Sequence, residues 1–423
     1  MKIKIKAALF AVSAALMCCS CTAIDEESVS GDGLPSAQLV TIHRDESTGT
    51  SEGYTEETLP PFNDTEYSEQ TYSVAGENTA PADSRAKTLG RYIYGELSDR
   101  EKKFYNELVK AAEAHEDKVY FSEDIDEDTA RKVFSAVYNQ EVQLFWLDGL
   151  FFHPVGNSQI LKYRFTAEEV PAVKAETERA AGEIIARTEG MSDYDKVVYI
   201  HDYLVRNISF IGDGEENLTV YGALCRGKAQ CEGYAFTFKY LCTLAGIDCI
   251  TVTGSNGAET LHAWNMVDLD DIWYNVDATW DDPLLNNTDN SDFLRRYYLL
   301  VPDSDILNIS HFRNDEYFTY PPCYDGSRTY FAREGLLAGS SSEGIEMLEN
   351  VSAAALAEGH RDAEVRFVSN SDYLMAAKTL FDMGDIKRLA AAAREKAGLD
   401  SSVGIQGMVK YLNDDLRIIH ISF

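Results

Sequence analysis

The sequence predicts a protein of mixed helix and strand, with its chemistry concentrated in one stretch near the middle of the chain. Three observations predict it. Cys231 opens an apolar-periodic run, CEGYAFTFKYLCTLAG, that reads as a helix closed by Gly246. Two branched and aromatic segments, 261–267 and 272–277, flank the acidic cluster 268–271 and read as two strands with a turn between them. Helix-like and strand-like patterns then alternate from residue 343 to the end, as a small α/β module.

The elements follow in order. Lys2, Lys4 and Lys6 precede an apolar stretch over 7–17, which is too short to cross a ~30 Å hydrocarbon core and has the proportions of a secretory signal. The segment Cys18-Cys19-Ser20-Cys21 that closes it resembles a bacterial lipoprotein signal, with Cys19 or Cys21 as the lipidated residue. The chain is therefore expected to be exported and held on the outer face of a bacterial membrane by a lipid anchor. Residues 22–88 hold 14 acidic and three basic residues with no sustained apolar period, and read as a disordered spacer giving reach from that anchor.

Residues 89–158 read as a mainly helical module. Ser98-Asp99-Arg100-Glu101 is a helix start ahead of Phe104, Leu108, Val109 and Ala112, and a second helix runs from Asp126 through Val133, Ala136 and Val137. The aromatic run 142–152 is suited to packing on the next domain. That domain, 159–290, opens with a strand over 159–165 and a helix over 167–188. A second helix follows over 193–208, carrying His201 in a structural or surface role. Residues 291–423 form a C-terminal extension: helix over 343–357, strand over 363–369, helices over 371–397 and a last strand over 416–423.

Cys231 stands at a helix N-terminus, where the macrodipole and free N–H groups stabilise a thiolate, the nucleophilic form. Gly227 and Gly233 suggest a tight approach with room for a substrate backbone. Cys242 lies on the apolar face and Cys249 in the following strand, both as core; Cys225 lies in a loop. An odd count of five cysteines downstream of the signal leaves at least one free thiol. If Asp268 and Asp271 flank a two-residue loop, the ladder puts His262 directly opposite Asp277, with Cβ atoms about 4.5–5.5 Å apart. A carboxylate so placed can bond the imidazole and fix its tautomer. Each residue alone has an ordinary structural reading; together, in helix-then-hairpin order, they favour nucleophilic catalysis with Cys231 as nucleophile, His262 as base and Asp277 as orienting acid.

The segments YGALCRGKAQCEGYAFTF, LHAWNMV and WYNVDATWDDP resemble the transglutaminase-like superfamily, a papain-like group using Cys, His and Asp in this order, and in particular its bacterial exported members. The resemblance implies an α+β fold in which the cysteine-bearing helix packs on an antiparallel sheet, with no metal and no cofactor. It assigns the nucleophile to Cys231, the base to His262 and the orienting acid to Asp277. Glu232 follows the nucleophile, where animal transglutaminases have tryptophan. Tyr221, Trp264 and Trp280 are candidates to line the cleft or to fill sheet core.

A formal charge of −32 argues against nucleic acid or anionic lipid as direct partners. The expected function is acyl transfer on protein or peptidoglycan-peptide amides through a thioester, with water or an amine as acceptor. The competing reading is a surface scaffold lipoprotein that uses the domain for binding. A metal site on Cys231 and His262 lacks the short Cys/His ligand pair of zinc sites.

Overall fold

The computed structural model describes residues 89–151, 157–256, 260–282, 294–399 and 409–423, with the short strands Ala11–Ser13 and Val40–Thr41. Those strands apart, the expected signal, Cys19, Cys21 and the 22–88 spacer lie outside the described residues. The chain divides into two compact units, one containing residues 77–324 and the other 325–423.

In the first unit, α1 (Asp99–Glu113) begins with a capping box: Ser98 Oγ accepts from Glu101 N, and the Glu101 carboxylate accepts from Ser98 N at 2.7 Å. Its buried face is Phe104, Tyr105, Leu108, Ala111 and Ala112. Strand β1 (Lys118–Tyr120) follows, then α2 (Glu127–Gln140), capped by Asp126 on Thr129 N at 2.9 Å. Strands β2 (Leu147–Phe151) and β3 (Ser158–Tyr163) complete an antiparallel sheet with β1, so the helices of this segment are accompanied by a small sheet. It also shares one hydrophobic core with the later segments: Phe104, Val137 and Trp146 cluster with Tyr221, Phe236, Trp264 and Met266. The aromatic run supplies the join, Phe145 stacking on Tyr221 at 6.4 Å between ring centres. Phe318, Tyr320 and Cys323 belong to the same core, so residues 294–324 sit with the first unit and not with a C-terminal extension beginning at 291.

Helices α3 (Val170–Ile185), α4 (Asp193–Asn207), α5 (Val220–Arg226) and α6 (Cys231–Leu244) surround an antiparallel sheet of β4 (Cys249–Ser255), β5 (Leu261–Leu269), β6 (Ile272–Val276), β7 (Leu299–Val301) and β8 (Phe312–Arg313). The strand order is β7-β6-β5-β4-β8. Helix α6 lies against β4 and β5, as the α+β expectation requires, and Asn265 ties them by donating to Ala235 O at 2.9 Å. Fully buried Lys239 on α6 donates to Gly90 O and Cys249 O at 2.8 and 2.7 Å, fastening the segment at Gly90 to the helix.

The β5–β6 hairpin corrects the expected register. Leu269 pairs with Ile272 and Asn265 with Val276, so the turn residues are Asp270 and Asp271, at φ 61° and 62°. A two-residue turn of this hand needs positive φ at both positions, which aspartate tolerates. The expected turn would have placed Leu269 there, but Leu269 is buried in the sheet. The ladder therefore shifts by two residues. An even shift keeps every side chain on its face, so His262 and Asp277 remain neighbours diagonally rather than directly opposite.

After β6 the chain enters α7 (Ala278–Asp281), which a buried ionic network fixes in place. Asp281 accepts from Tyr297 N at 2.8 Å and lies 3.0 Å from His201 Nε2. His201 Nδ1 lies 3.2 Å from Asp202, and Arg296 grips Asp202 at 2.9 and 2.7 Å. Burial opposes charge on His201, yet the Asp202 and Asp281 hydrogen bonds push its pKa up to about 9. His201 is thus an internal cation that pins α4 to α7.

The second unit is built on β9 (Leu337–Ala338), β10 (Asp362–Phe367), β11 (Val409–Asn413) and β12 (Ile418–Ser422), in the order β9-β10-β12-β11 with only the β9–β10 pair parallel. Helices α8 (Ser341–Ala357), α9 (Asn370–Ala377) and α10 (Ile386–Lys396) cover a core of Leu348, Val365, Phe367, Tyr373, Leu389 and Ile419. Ser340 and Ser369 cap α8 and α9.

All four tryptophans lie in the first unit, so their fluorescence follows its unfolding alone. The stability advantage of the native chain over His201→Gln should be greatest below pH 6.5 and close as pH rises through about 9, because a group whose pKa rises on folding stabilises only while it binds its proton. A gap that stays constant from pH 6 to 10 would show that His201 is not held as a cation.

Candidate active site

Cys231 is the first residue of α6, and the N-cap ahead of it, Gln230, is immobilised. Gln230 N donates to Asn217 O at 2.8 Å, and its side-chain amide donates to Gly214 O at 3.0 Å. That side chain braces the 214–217 turn and takes no part in the cleft. The glycines near Cys231 also serve packing. Gly227 ends α5 in the left-handed conformation, φ 65°. A Cβ on Gly233 would stand 2.4 Å from Asn217 O, so Gly233 lets α6 seat against the same turn. Neither leaves room for a substrate backbone, which corrects the expectation for both.

Cys231 and His262 lie in the walls of one cleft of about 350 Å³. The other walls are Tyr138 and Asn139 from α2, Glu232, residues 253–255 of β4, and Phe312, Arg313 and Asn314. Both residues are almost fully buried, Cys231 at 2% and His262 at 5% exposure, so each presents only a small part of its surface to the cleft. His262 sits on β5 opposite Gly254, and a Cβ there would come within 2.0 Å of Phe312 O. Glycine at 254 is what allows β8 to close against the sheet.

His262 Nε2 lies 2.6 Å from Asp277 Oδ2. Asp277 caps α7, its Oδ1 accepting from Thr279 N and Trp280 N at 2.9 and 3.1 Å. A fourth contact comes from a residue the sequence reading did not single out, His311, whose Nε2 lies 2.9 Å from the same Oδ2. Burial opposes charge on Asp277, but the two histidines together hold its carboxyl well below the usual range, so it is an anion. Burial likewise pulls the His311 pKa down, leaving that ring neutral.

Among the described residues, His262, Asp277 and His311 are the group whose donor atoms converge closely enough for a metal, within 4.8 Å of one another. Metal bonds of about 2.0–2.2 Å would hold such donors roughly 3.3 Å apart. The observed 2.6 and 2.9 Å are hydrogen-bond separations onto one oxygen, and they account for the cluster as a hydrogen-bonded relay.

The remaining cysteines differ from Cys231 in setting. Burial pushes the thiols of Cys242 and Cys323 well above their ordinary pKa and raises that of part-buried Cys225. None of the five described downstream cysteines is in a disulfide. Beside Cys231, burial pushes Glu232 up to about 7, opposed by Arg164 and by a hydrogen bond from the Tyr138 hydroxyl. Arg164 in turn donates to that hydroxyl at 2.8 Å and pairs with Asp148 at 2.9 Å.

The three aromatic cleft candidates lie elsewhere. Tyr221 packs between Phe145 and Phe165 in the core. Trp264 is buried behind His262 and donates to Asn275 at 3.2 Å. Trp280 lies 4.6 Å from His311 and 5.7 Å from His262, ring centre to ring centre. The tryptophans thus wall the relay rather than the substrate space.

Residues 180–278 match the family model of the transglutaminase-like superfamily. Kyphoscoliosis peptidase is 32% identical in Mus musculus and 33% in Homo sapiens, each over 101 residues, covering 21% of this chain and 15% of the relative's length. The chain thus spans a small part of those relatives. A solved transglutaminase is 16% identical, with 41% of this chain and 52% of that one covered and a TM-score of 0.24. Residues 180–278, which carry Cys231, His262 and Asp277 in that order, form a domain of the transglutaminase-like superfamily.

Proposed function

We propose that this chain is a cysteine-dependent acyl-transfer enzyme acting on protein or peptide amides. One observation carries the reading: a buried His262–Asp277 pair 2.6 Å apart, sharing a cleft with a cysteine at a helix N-terminus. The Asp277 carboxylate accepts a hydrogen bond from His262 Nε2–H, which leaves Nδ1 to receive the proton of the Cys231 thiol. The thiolate adds to the amide carbonyl carbon, and the tetrahedral oxyanion collapses by breaking the C–N bond. His262 returns its proton to the departing amine. The Cys231 thioester is then attacked by water, giving an acid, or by an amine, giving a new amide. His262 takes the acceptor's proton in this second step and delivers it to the leaving thiolate. The first-turn N–H groups of α6 are at the positive end of the helix and suit the oxyanion.

The curated relatives are named peptidases, which favours water as acceptor. An extracytoplasmic place, on a lipid anchor at Cys19 or Cys21, is supported by the basic and apolar N-terminal segment and the acidic spacer. Cell-wall peptides and surface proteins are then the substrates within reach.

Iodoacetamide labelling of Cys231, followed by peptide mass spectrometry, tests the chemistry. Labelling should persist well below pH 7 and fall steeply in His262→Ala. A profile that follows an ordinary thiol of pKa ~8.5 in both proteins would replace this reading with a binding scaffold. Peptide amides offered with and without a primary amine then separate hydrolysis from transamidation by product mass.

A further inference from the structure

We propose that His311 is a positioning residue of this site, acting through Asp277 to set the ring of His262, so that the catalytic unit is a Cys–His–Asp–His relay. The inference rests on the acyl-transfer reading and extends it. A carboxylate offers about four acceptor positions, and Asp277 has a donor for each: His262 and His311 on Oδ2, Thr279 N and Trp280 N on Oδ1. Three of these donors lie within or beside the hairpin and its capping helix. The fourth comes from a loop 34 residues beyond Asp277.

Hydrogen-bond direction fixes the tautomers. An ionised carboxylate only accepts, so both Nε2 atoms carry hydrogen. His311 is neutral, so its Nδ1 is bare and accepts from the Ser310 hydroxyl at 2.9 Å. His262 in the same Nε2–H form presents a bare Nδ1, as a base facing a thiol must. His311 cannot reorient, because Trp264, Trp280 and Tyr298 surround it at 4.9, 4.6 and 5.7 Å between ring centres. The titratable and charged groups facing it are Asp277, His262 and Arg313. With His311 in place, Oδ2 cannot swing from His262 toward another donor. Without it, one acceptor position of a buried anion is empty, and three donors in place of four hold the carboxylate against rotation about its Cβ–Cγ bond.

The test uses the full chain and two variants of contrasting chemistry: His311→Gln keeps an N–H donor, and His311→Phe keeps an aromatic volume without one. Iodoacetamide labelling of Cys231 at pH 6 should fall about tenfold in His311→Phe, the worth of one hydrogen bond to a charged group, and recover to within about threefold in His311→Gln. Equal labelling in the native chain and His311→Phe, or equal loss in both variants, overturns the proposal. Histidine-selective nitrogen NMR of the native protein gives a second arm that needs no variant: His311 should be an Nε2–H tautomer with a bare Nδ1, and an Nδ1–H His311 overturns the proposal even if His311→Phe does not fold. A native chain that is unreactive at pH 6, or whose labelling ignores His262→Ala, sinks the acyl-transfer reading itself. Native reactivity that depends on His262 but not on His311 sinks only the role given to His311.

Discussion

The structure of the site depends on one carboxylate, that of Asp277, and on where the chain places it. It stands at the point where a strand becomes a helix, so one oxygen belongs to the backbone and the other to the chemistry. Thr279 N and Trp280 N bind Oδ1, and two imidazoles bind Oδ2. A buried anion with fewer partners would be costly enough to protonate instead. The four donors are therefore what makes a fully buried charge at this position tolerable, and each donor is located by the requirement to reach it.

The same logic extends along the six residues from Asp277 to Asp282, which hold three buried acids with three destinations. Asp277 reaches the strand bearing His262 and the loop bearing His311. Asp281 reaches His201 on α4 and the amides of Tyr297 and Tyr298. Asp282 accepts from the Tyr234 hydroxyl on α6 at 2.7 Å and from Phe210 N at 3.0 Å. Tyr234 is about one turn beyond Cys231, so this last bond couples the Cys231 helix to the Asp277 cap. A short helix that would be unstable alone becomes the junction of the unit, because each of these three acids is tied to a different neighbour.

Much of this was legible in the sequence, and the reasons are local. Ser98 with Glu101, Asp126, and Gly246 mark helix ends by chemistry confined to a few residues, and they do so in the structure. The hairpin was legible as a hairpin, but its register turned on which residues could take positive φ, and the burial of Leu269 decided it. Because the error was an even number of residues, the pairing of His262 with Asp277 survived it. What stayed hidden is non-local. His311 follows a serine in a segment without periodicity, and nothing near it in sequence announces a partner 34 residues earlier. Tyr138 and Asn139 carry no signal of their own in the sequence, and only the fold brings them to Cys231. The glycines at 227 and 233 looked like access for substrate because a sequence shows that space is needed but not what fills it; Asn217 O fills it at 233.

The cleft is assembled from two sources. Cys231, His262 and Asp277 lie inside the segment 180–278 that the superfamily has in common, whereas Tyr138, Asn139, Phe312, Arg313 and Asn314 lie outside it. The residues proposed to react and many of the walls around them thus come from different stretches of the chain. Under the acyl-transfer reading, changes to the outer walls at Tyr138, Asn139, Phe312 or Asn314 would alter selectivity with the triad kept, whereas His311, also beyond residue 278, would have to stay. On that reading, what a substrate meets and what would react with it need not change together.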